Sequence, residues 1–426
     1  MTLLLAVLAI AYVGSMLMQG RALRGVGLPS GTEWVLLGFA LGSHALAVVD
    51  RDLLEAFEPV AAVAIGWQAF ALGARFGRPR EERTEPRSMV FGVVFSVVAC
   101  TLVTGCVWLA LQLIPTLEPL ERALISIGAG LVSCELTRHA VTWVVERYAA
   151  RGPLASFVTG VSEGSAIVPL LGCAVPFALV APPIELAVPV WGFALMSVIL
   201  GVVLALMCAA LISLEASGPR TWGVLLGAAL LGTGISFRLG ISPIAALFAL
   251  GLSLAVLSKK RAEVHSMLAR TEHPVRLPIL LLCGAHVDLY VDQRFAFVIA
   301  AAVLARVVAA GALAWPIGRA SGSTKHETHS LVRSLLPTGA ITMTIGLSFA
   351  LRFPDRIGAV VLLTAAAQTI FGELFGPLAL RRALDSAGEL PADSMPPPGP
   401  PRAVGGEGRP RESLAGDRES SYVEGT

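Results

Sequence analysis

The sequence predicts an all-α, polytopic membrane protein of about thirteen transmembrane helices, an inverted repeat of six with a linker helix between. Three observations predict it. The chain is 55% hydrophobic and only 15% charged, where a soluble domain carries about 25% charged residues. The apolar residues gather into runs of about 18–25, long enough to cross a bilayer as helix and lacking the alternation of a transmembrane barrel. The bases of the connecting loops alternate along the chain in step with the crossings.

Taken in order, the expected spans are 2–19, 32–49, 54–74, 89–114, 122–146, 154–181, 187–213, 221–236, 240–258, 275–290, 294–317, 329–352 and 356–380. The first has no basic residue before its apolar run and is long enough to span, so it reads as a retained helix, not a signal peptide. Loops after odd-numbered spans hold most of the bases: Arg21 and Arg24, then Arg75 to Arg87, then Arg147 and Arg151, Arg220, Lys259 to Arg270, Arg319 and Lys325, and Arg381 and Arg382. Loops after even-numbered spans are short and nearly balanced, as at Asp50, Arg51 and Asp52. The positive-inside rule then places the N-terminus outside and the C-terminus in the cytoplasm, with the protein in the cell (inner) membrane. A missing or extra span would scramble this alternation. Residues 1–385 form the transmembrane domain; 386–426, rich in Pro, Gly, Ser, Glu and Arg, has too little apolar surface to fold and reads as a disordered cytoplasmic tail.

Several function classes drop out. A net charge of +2 without a basic, aromatic-interleaved patch gives no sign of nucleic acid. The six cysteines all sit inside apolar runs without a Cys-x-x-Cys pair, so neither zinc nor a disulfide framework is indicated, and no cofactor is expected. There is no nucleophile elbow, HExxH or phosphate-cradling loop, so the chain does not read as an enzyme.

Two spans are interrupted. Ser133, Glu135, Thr137, Arg138 and His139 break the fifth, and Pro337, Thr338 and Gly339 break the twelfth. The breaks lie seven spans apart. An odd offset makes the two helices enter the membrane from opposite sides, which is the mark of an inverted repeat. Paired broken helices point to a transport site near the midplane. Pro337 has no N–H and so frees a carbonyl for a cation or a neighbour.

The stretch from Leu131 to Leu171 carries two intramembrane carboxylates, Glu135 and Glu163. Each costs about 2.5–3.5 kcal/mol on insertion scales, so such groups mark ion pathways. Glu163, about ten residues into the sixth span, is the main candidate for the transported cation and for the proton, with Ser162 beside it. Taking a carboxylate out of water favours its protonated form, and proton and cation then exclude one another, which is the requirement for coupled exchange. Thr137 offers a hydroxyl or a free carbonyl at the break, and Thr338 lies at the matching one. Glu135 is expected to pair with Arg138 or His139. Arg306, too deep to snorkel, is expected to pair with Glu163 or to hold a carbonyl at a helix break. His286, Asp288 and Glu373 read as interfacial or locally paired.

Residues 1 to about 385 resemble the monovalent cation:proton antiporter superfamily, in its sodium/proton and potassium/proton exchanger branch. The resemblance rests on GVGLPSGTEWVLLGFALGSHALAVVDRDLLEAF, LTRHAVTWVVERYAARG, SEGSAIVPLL, SLLPTGAITMTIGLSFALRFP and LLTAAAQTIFGELFGPLALRRAL, in that order and spacing. It implies thirteen helices, a homodimer, and a mobile core of two crossed broken helices that carries the ion. Thr137 falls at the family's crossing Thr and Arg306 at its site-facing base. Gly42-Ser43 stands where the family has Gly-Pro. The family's ion-binding Asp aligns with Gly164, and Glu163 takes the preceding place; Gly164 leaves space through which the longer Glu side chain reaches the site. The expected function is antiport of sodium or potassium against protons across a lipid membrane, with Glu163 as cation ligand. The alternative is a non-exchanging relative acting as a sensor or interaction partner.

Overall fold

Proline marks the starts of several helices. Pro86, Pro119, Pro153 and Pro243 each stand in a first turn, where a missing N–H costs nothing. The computed structural model describes residues 31–391 except 43–45, 47, 79–83, 181–188, 215–217, 289–291, 321–324 and 354–355. The helices are α1 (Glu33–Leu41), α2 (Arg51–Ala74), α3 (Pro86–Leu111), α4 (Pro119–Ser133), α5 (Arg138–Arg147), α6 (Pro153–Ser165), α7 (Ile167–Gly172), α8 (Ala174–Leu179), α9 (Val190–Leu214), α10 (Gly218–Leu239), α11 (Pro243–Leu257), α12 (Arg261–Ala285), α13 (Arg294–Ala320), α14 (Lys325–Ser334), α15 (Ala340–Arg352) and α16 (Arg356–Ser386). The described residues contain no strand, and seven of their helical runs are long and apolar enough to cross a membrane. This is a multi-pass membrane protein.

Every expected span after the first has a helical counterpart; 2–19 lies outside the described residues. Three boundaries differ for physical reasons. α1 stops at Gly42, well short of 49. α12 begins at Arg261, long before the expected 275, because its polar first half buries Glu272 against Arg75 and so is held in place by the bundle. The ordered chain also runs past the expected boundary at 385: after α16 it turns at Gly388, whose φ is +70°, and buries Glu389. Of the expected tail, 392–426 lies outside the described residues.

The interior is apolar, and helices approach closely where glycines remove side chains. α2 meets α11 at Gly73 and Gly251, and α3 meets α6 at Gly92 and Gly164. A Cβ on Gly164 would lie 2.0 Å from the Met89 carbonyl oxygen. The room expected beside Glu163 is therefore filled by the α3 backbone.

Candidate functional site

The fifth and twelfth spans are both broken, and the breaks meet. α4 ends at Ser133, residues 134–137 run without helix, and α5 starts at Arg138. α14 ends at Ser334, residues 335–339 are non-helical, and α15 starts at Ala340. Thr137 N donates to the Pro337 carbonyl at 3.1 Å, tying one break to the other.

Each helix end so created needs compensation, since its last carbonyls or first amides lack helical partners. Arg306 on α13 supplies the carbonyl side. It is 2% exposed, and its guanidinium donates to the Ser133 carbonyl, to Glu135 O at 2.6 Å, to Leu335 O at 3.4 Å and to Pro337 O at 3.5 Å. The Phe95 ring lies 5.5 Å from its centre. Glu135 supplies the amide side. Its Oε2 accepts from Thr342 N at 3.1 Å and Thr342 Oγ1 at 3.0 Å, in the first turn of α15, where the helix dipole favours an anion. Gln368 on α16 completes the frame. Its amide donates to Ser133 Oγ at 2.8 Å, and its backbone carbonyl accepts from Thr338 Oγ1 at 2.5 Å.

Three buried oxygens in this group have no hydrogen-bond partner: Glu135 Oε1, Thr137 Oγ1 and Gln368 Oε1. A carboxylate, a hydroxyl and an amide oxygen are the donor types that hard alkali cations take. An unsatisfied buried polar group is costly, so its persistence calls for an occupant or a function.

α6 reaches the crossing through Ser165. Its Oγ accepts from Leu136 N at 3.0 Å, and its carbonyl, freed because Pro169 has no N–H, accepts from Ser96 Oγ at 2.7 Å. Ser96 also donates to Cys134 O at 2.6 Å. Glu163 points elsewhere. Its Oε1 takes Arg78 Nη1 at 2.5 Å and Arg138 Nη1 at 2.6 Å, and its Oε2 takes Thr84 Oγ1 at 2.8 Å. Beside it, Arg75 forks onto Glu272, whose Oε1 is also 3.3 Å from His139 Nε2; Arg276 Nη1 lies 2.6 Å from that same nitrogen. A cavity of about 440 Å³ opens here, lined by Arg75, Arg78, Arg138, His265, Ala269 and Glu272. A second cavity of about 370 Å³, bordered by Ala62, Ile65, Phe177, Ser348 and Arg352, lies at the other end of α15. Between the two, Thr344 Oγ1 donates to Gln68 at 3.0 Å.

The expected site residues thus fall into two groups. Thr137, Glu135, Arg306 and Thr338 sit at the crossing; Glu163 and Ser162 border the basic cluster. Glu163, expected as the cation ligand, has both oxygens engaged, two guanidinium groups on one and a hydroxyl on the other. Arg306 holds carbonyls and does not pair with Glu163. Glu135 faces Thr342, while Arg138 goes to Glu163 and His139 to Glu272. Gln368, Thr342, Ser96 and the Arg75–Glu272 pair were not anticipated. Gln368 had a signal, a lone amide in the apolar run AAAQTI; Glu272 had none, because its segment reads as loop.

The all-helical bundle with its two meeting breaks has the fold of solved sodium/proton antiporter structures. The sodium proton antiporter MjNhaP1 from Methanocaldococcus jannaschii, solved at pH 8, superposes with a TM-score of 0.65 at 14% identity, covering 88% of this chain and 99% of that one. An electron-microscopy structure of MjNhaP1 gives 0.58 at 16% identity, covering 90% and 96%. No protein-family model and no curated protein matches the chain.

Proposed function

We propose that the protein exchanges a monovalent cation, sodium or potassium, against protons by alternating access, with Glu135 as the coupling carboxylate at the crossing. The observation that carries this reading is the set of partnerless oxygens on Glu135, Thr137 and Gln368. A cation held there needs Glu135 ionised; a proton on Glu135 removes the charge that holds the cation. One group then serves both ions in turn. Arg306 keeps the two breaks together throughout, because its partners are carbonyls that do not titrate. Thr338 acts as a positioning residue by fixing the second break to α16. Glu163 and Ser162 border the path on the basic side, with Glu163 as an ion-paired strut. The same reading sets the chain in the cell membrane with the basic ends of the helices toward the cytoplasm, supported by the loop bases; the homodimer it includes is what the superfamily resemblance implies.

The test is exchange in proteoliposomes followed with a pH-sensitive dye. Wild type should move protons on addition of sodium or potassium. Glu135→Gln, which keeps an acceptor for Thr342 but cannot ionise, should lose this movement, and Glu163→Gln should retain it. Wild-type exchange by Glu135→Gln would remove that group from coupling. A second reading, a non-exchanging relative, is favoured by the clamping of Glu163 between Arg78 and Arg138. It expects no proton movement with any alkali cation.

A further inference from the structure

Cys100 and Cys134 come from different helices and meet. Cys100 lies in the middle of α3, and Cys134 is the first residue of the broken stretch after α4. Three contacts fix their approach. Gly130, one turn before Cys134, lets α4 close on α3: a Cβ there would fall 2.8 Å from the Cys100 carbonyl oxygen and 3.2 Å from its Sγ. Ser96, one turn before Cys100, donates to the Cys134 carbonyl at 2.6 Å. Cys134 Sγ turns back along α4 and donates to the Leu131 carbonyl at 3.3 Å, which brings it toward the same gap. There the two thiols are in hydrogen-bond contact, and the Thr104 hydroxyl also reaches Cys100.

The two sulfurs differ in access. Cys134 is 0% exposed, whereas Cys100 is half-buried on a face of α3 whose Val97 and Thr101 are exposed. On a membrane-spanning helix such positions meet lipid, so a reagent comes to Cys100 first and from the bilayer. A buried thiol by itself is a small packing group. Two thiols in contact are the reactants of a disulfide, whose sulfurs close to about 2.05 Å with Cα atoms about 5.5–6 Å apart. Cys134 stands beyond the last helical residue of α4, so its backbone can adjust to that spacing without breaking the helix.

We propose that Cys100 and Cys134 are an oxidisable dithiol at the crossing, and that the oxidant is a lipid-soluble hydroperoxide. The Cys100 sulfur attacks the outer oxygen of the hydroperoxide. The O–O bond breaks, the sulfur gains OH, and the alcohol leaves with the thiol proton. The Cys134 sulfur then attacks the sulfenic sulfur. The S–S bond forms, the S–O bond breaks, and hydroxide leaves as water with the Cys134 proton. Two thiols and one hydroperoxide give one disulfide, one alcohol and one water; the sulfurs lose the two electrons that the O–O bond gains. The disulfide staples the broken stretch to α3. The inference does not rest on the antiport reading, since a non-exchanging protein would carry the same pair.

The experiment treats the full chain, in phosphatidylcholine vesicles, with cumene hydroperoxide. The protein is then unfolded in N-ethylmaleimide and its peptides are read by mass spectrometry. Wild type should give a Cys100–Cys134 linked peptide that dithiothreitol abolishes, while Cys106, Cys173, Cys208 and Cys283 stay as maleimide adducts. In Cys100→Ala, Cys134 should remain a free thiol, because the oxidant reaches it only through its partner. Deuterium uptake over 134–137 should fall several-fold in oxidised wild type and stay unchanged in treated Cys100→Ala. Treatment that leaves both thiols open to maleimide, that carries Cys100 on to the sulfinic acid without a link, or that joins either sulfur to another cysteine overturns the proposal. So does a disulfide with unchanged uptake, which would leave the break unpinned. If Cys100→Ala fails to fold, the wild-type peptides still decide the matter.

Discussion

Glu135 and Glu163 are alike in sequence, each a lone carboxylate in an apolar run, and opposite in structure. Glu135 spends one oxygen on the first turn of α15 and keeps the other free. Glu163 spends both, and its two arginines hold it as a strut between α6, α5 and the end of α2. The arginines differ in the same way. Arg306 touches carbonyls and pairs with no carboxylate, whereas Arg78 and Arg138 both pair with Glu163. The lesson is that the expense of putting a carboxylate in the membrane does not identify its job. What it has left to bind with does.

The sharpest way to break the contrast is at Arg306. Removing its side chain strands carbonyls of Ser133, Glu135, Leu335 and Pro337 in a buried site. Each orphaned group costs about 1–3 kcal/mol, so Arg306→Ala should give little folded protein by size-exclusion profile in detergent. Arg306→Lys, with donors but no fork, should restore part of it. A normal Arg306→Ala profile would show that the breaks hold without the guanidinium.

Next in size is Gly164. Because its missing Cβ is replaced by the Met89 carbonyl, Gly164→Ala must push α3 and α6 apart, at a cost of about 1–3 kcal/mol. The measurement is the thermal midpoint. An unchanged value would mean that the α3–α6 seam is loose enough to admit a side chain, and with it the carboxylate that the superfamily resemblance leads one to expect there.

Glu163→Gln should destabilise less. The pair is partly hydrated, with 12% of the Glu163 side chain exposed, and an amide oxygen still accepts from Arg78 and Arg138. A loss of about 1–2 kcal/mol in the midpoint, with proton coupling retained, separates the strut from the coupling group. Loss of coupling at unchanged stability would reverse the assignment of the two carboxylates.

Much of this architecture was legible because hydropathy and loop charge report on spans one at a time. Pro337 and the polar run around Glu135 announced both breaks, and the depth of Arg306 announced a bundle role. The site itself was less legible, since it depends on which side chains from distant spans face each other. Nothing local distinguishes Glu163 from Glu135; the difference comes from Arg78, 85 residues before Glu163, and from Thr342, 207 residues after Glu135. The alignment of Glu163 beside a vacant Gly164 read the glycine as space, when a glycine on a transmembrane helix is as often a contact. The polar first half of α12 was read as loop because hydropathy cannot see that Glu272 and Arg75 satisfy one another.

The smallest expected effect lies farthest from either cluster and still bears on the comparison. α6, which carries Glu163 and Ser165, begins at Gly152 and Pro153, so its own sequence supplies no capping side chain. Glu389, just beyond α16, supplies one across the fold: its carboxylate accepts from Leu154 N at 2.6 Å and Ala155 N at 2.8 Å, and its backbone carbonyl accepts from Arg151 N at 3.1 Å. An anion at a helix start satisfies orphan amides and opposes the dipole. Glu389→Ala should therefore cost about 1 kcal/mol in the thermal midpoint. Glu389→Asp, a methylene shorter, should recover only part, and Gly152→Ala should weaken the contact from the other side, its Cβ falling 2.3 Å from the carboxyl carbon. An unchanged midpoint in Glu389→Ala would mean that α6 is fixed without this cap.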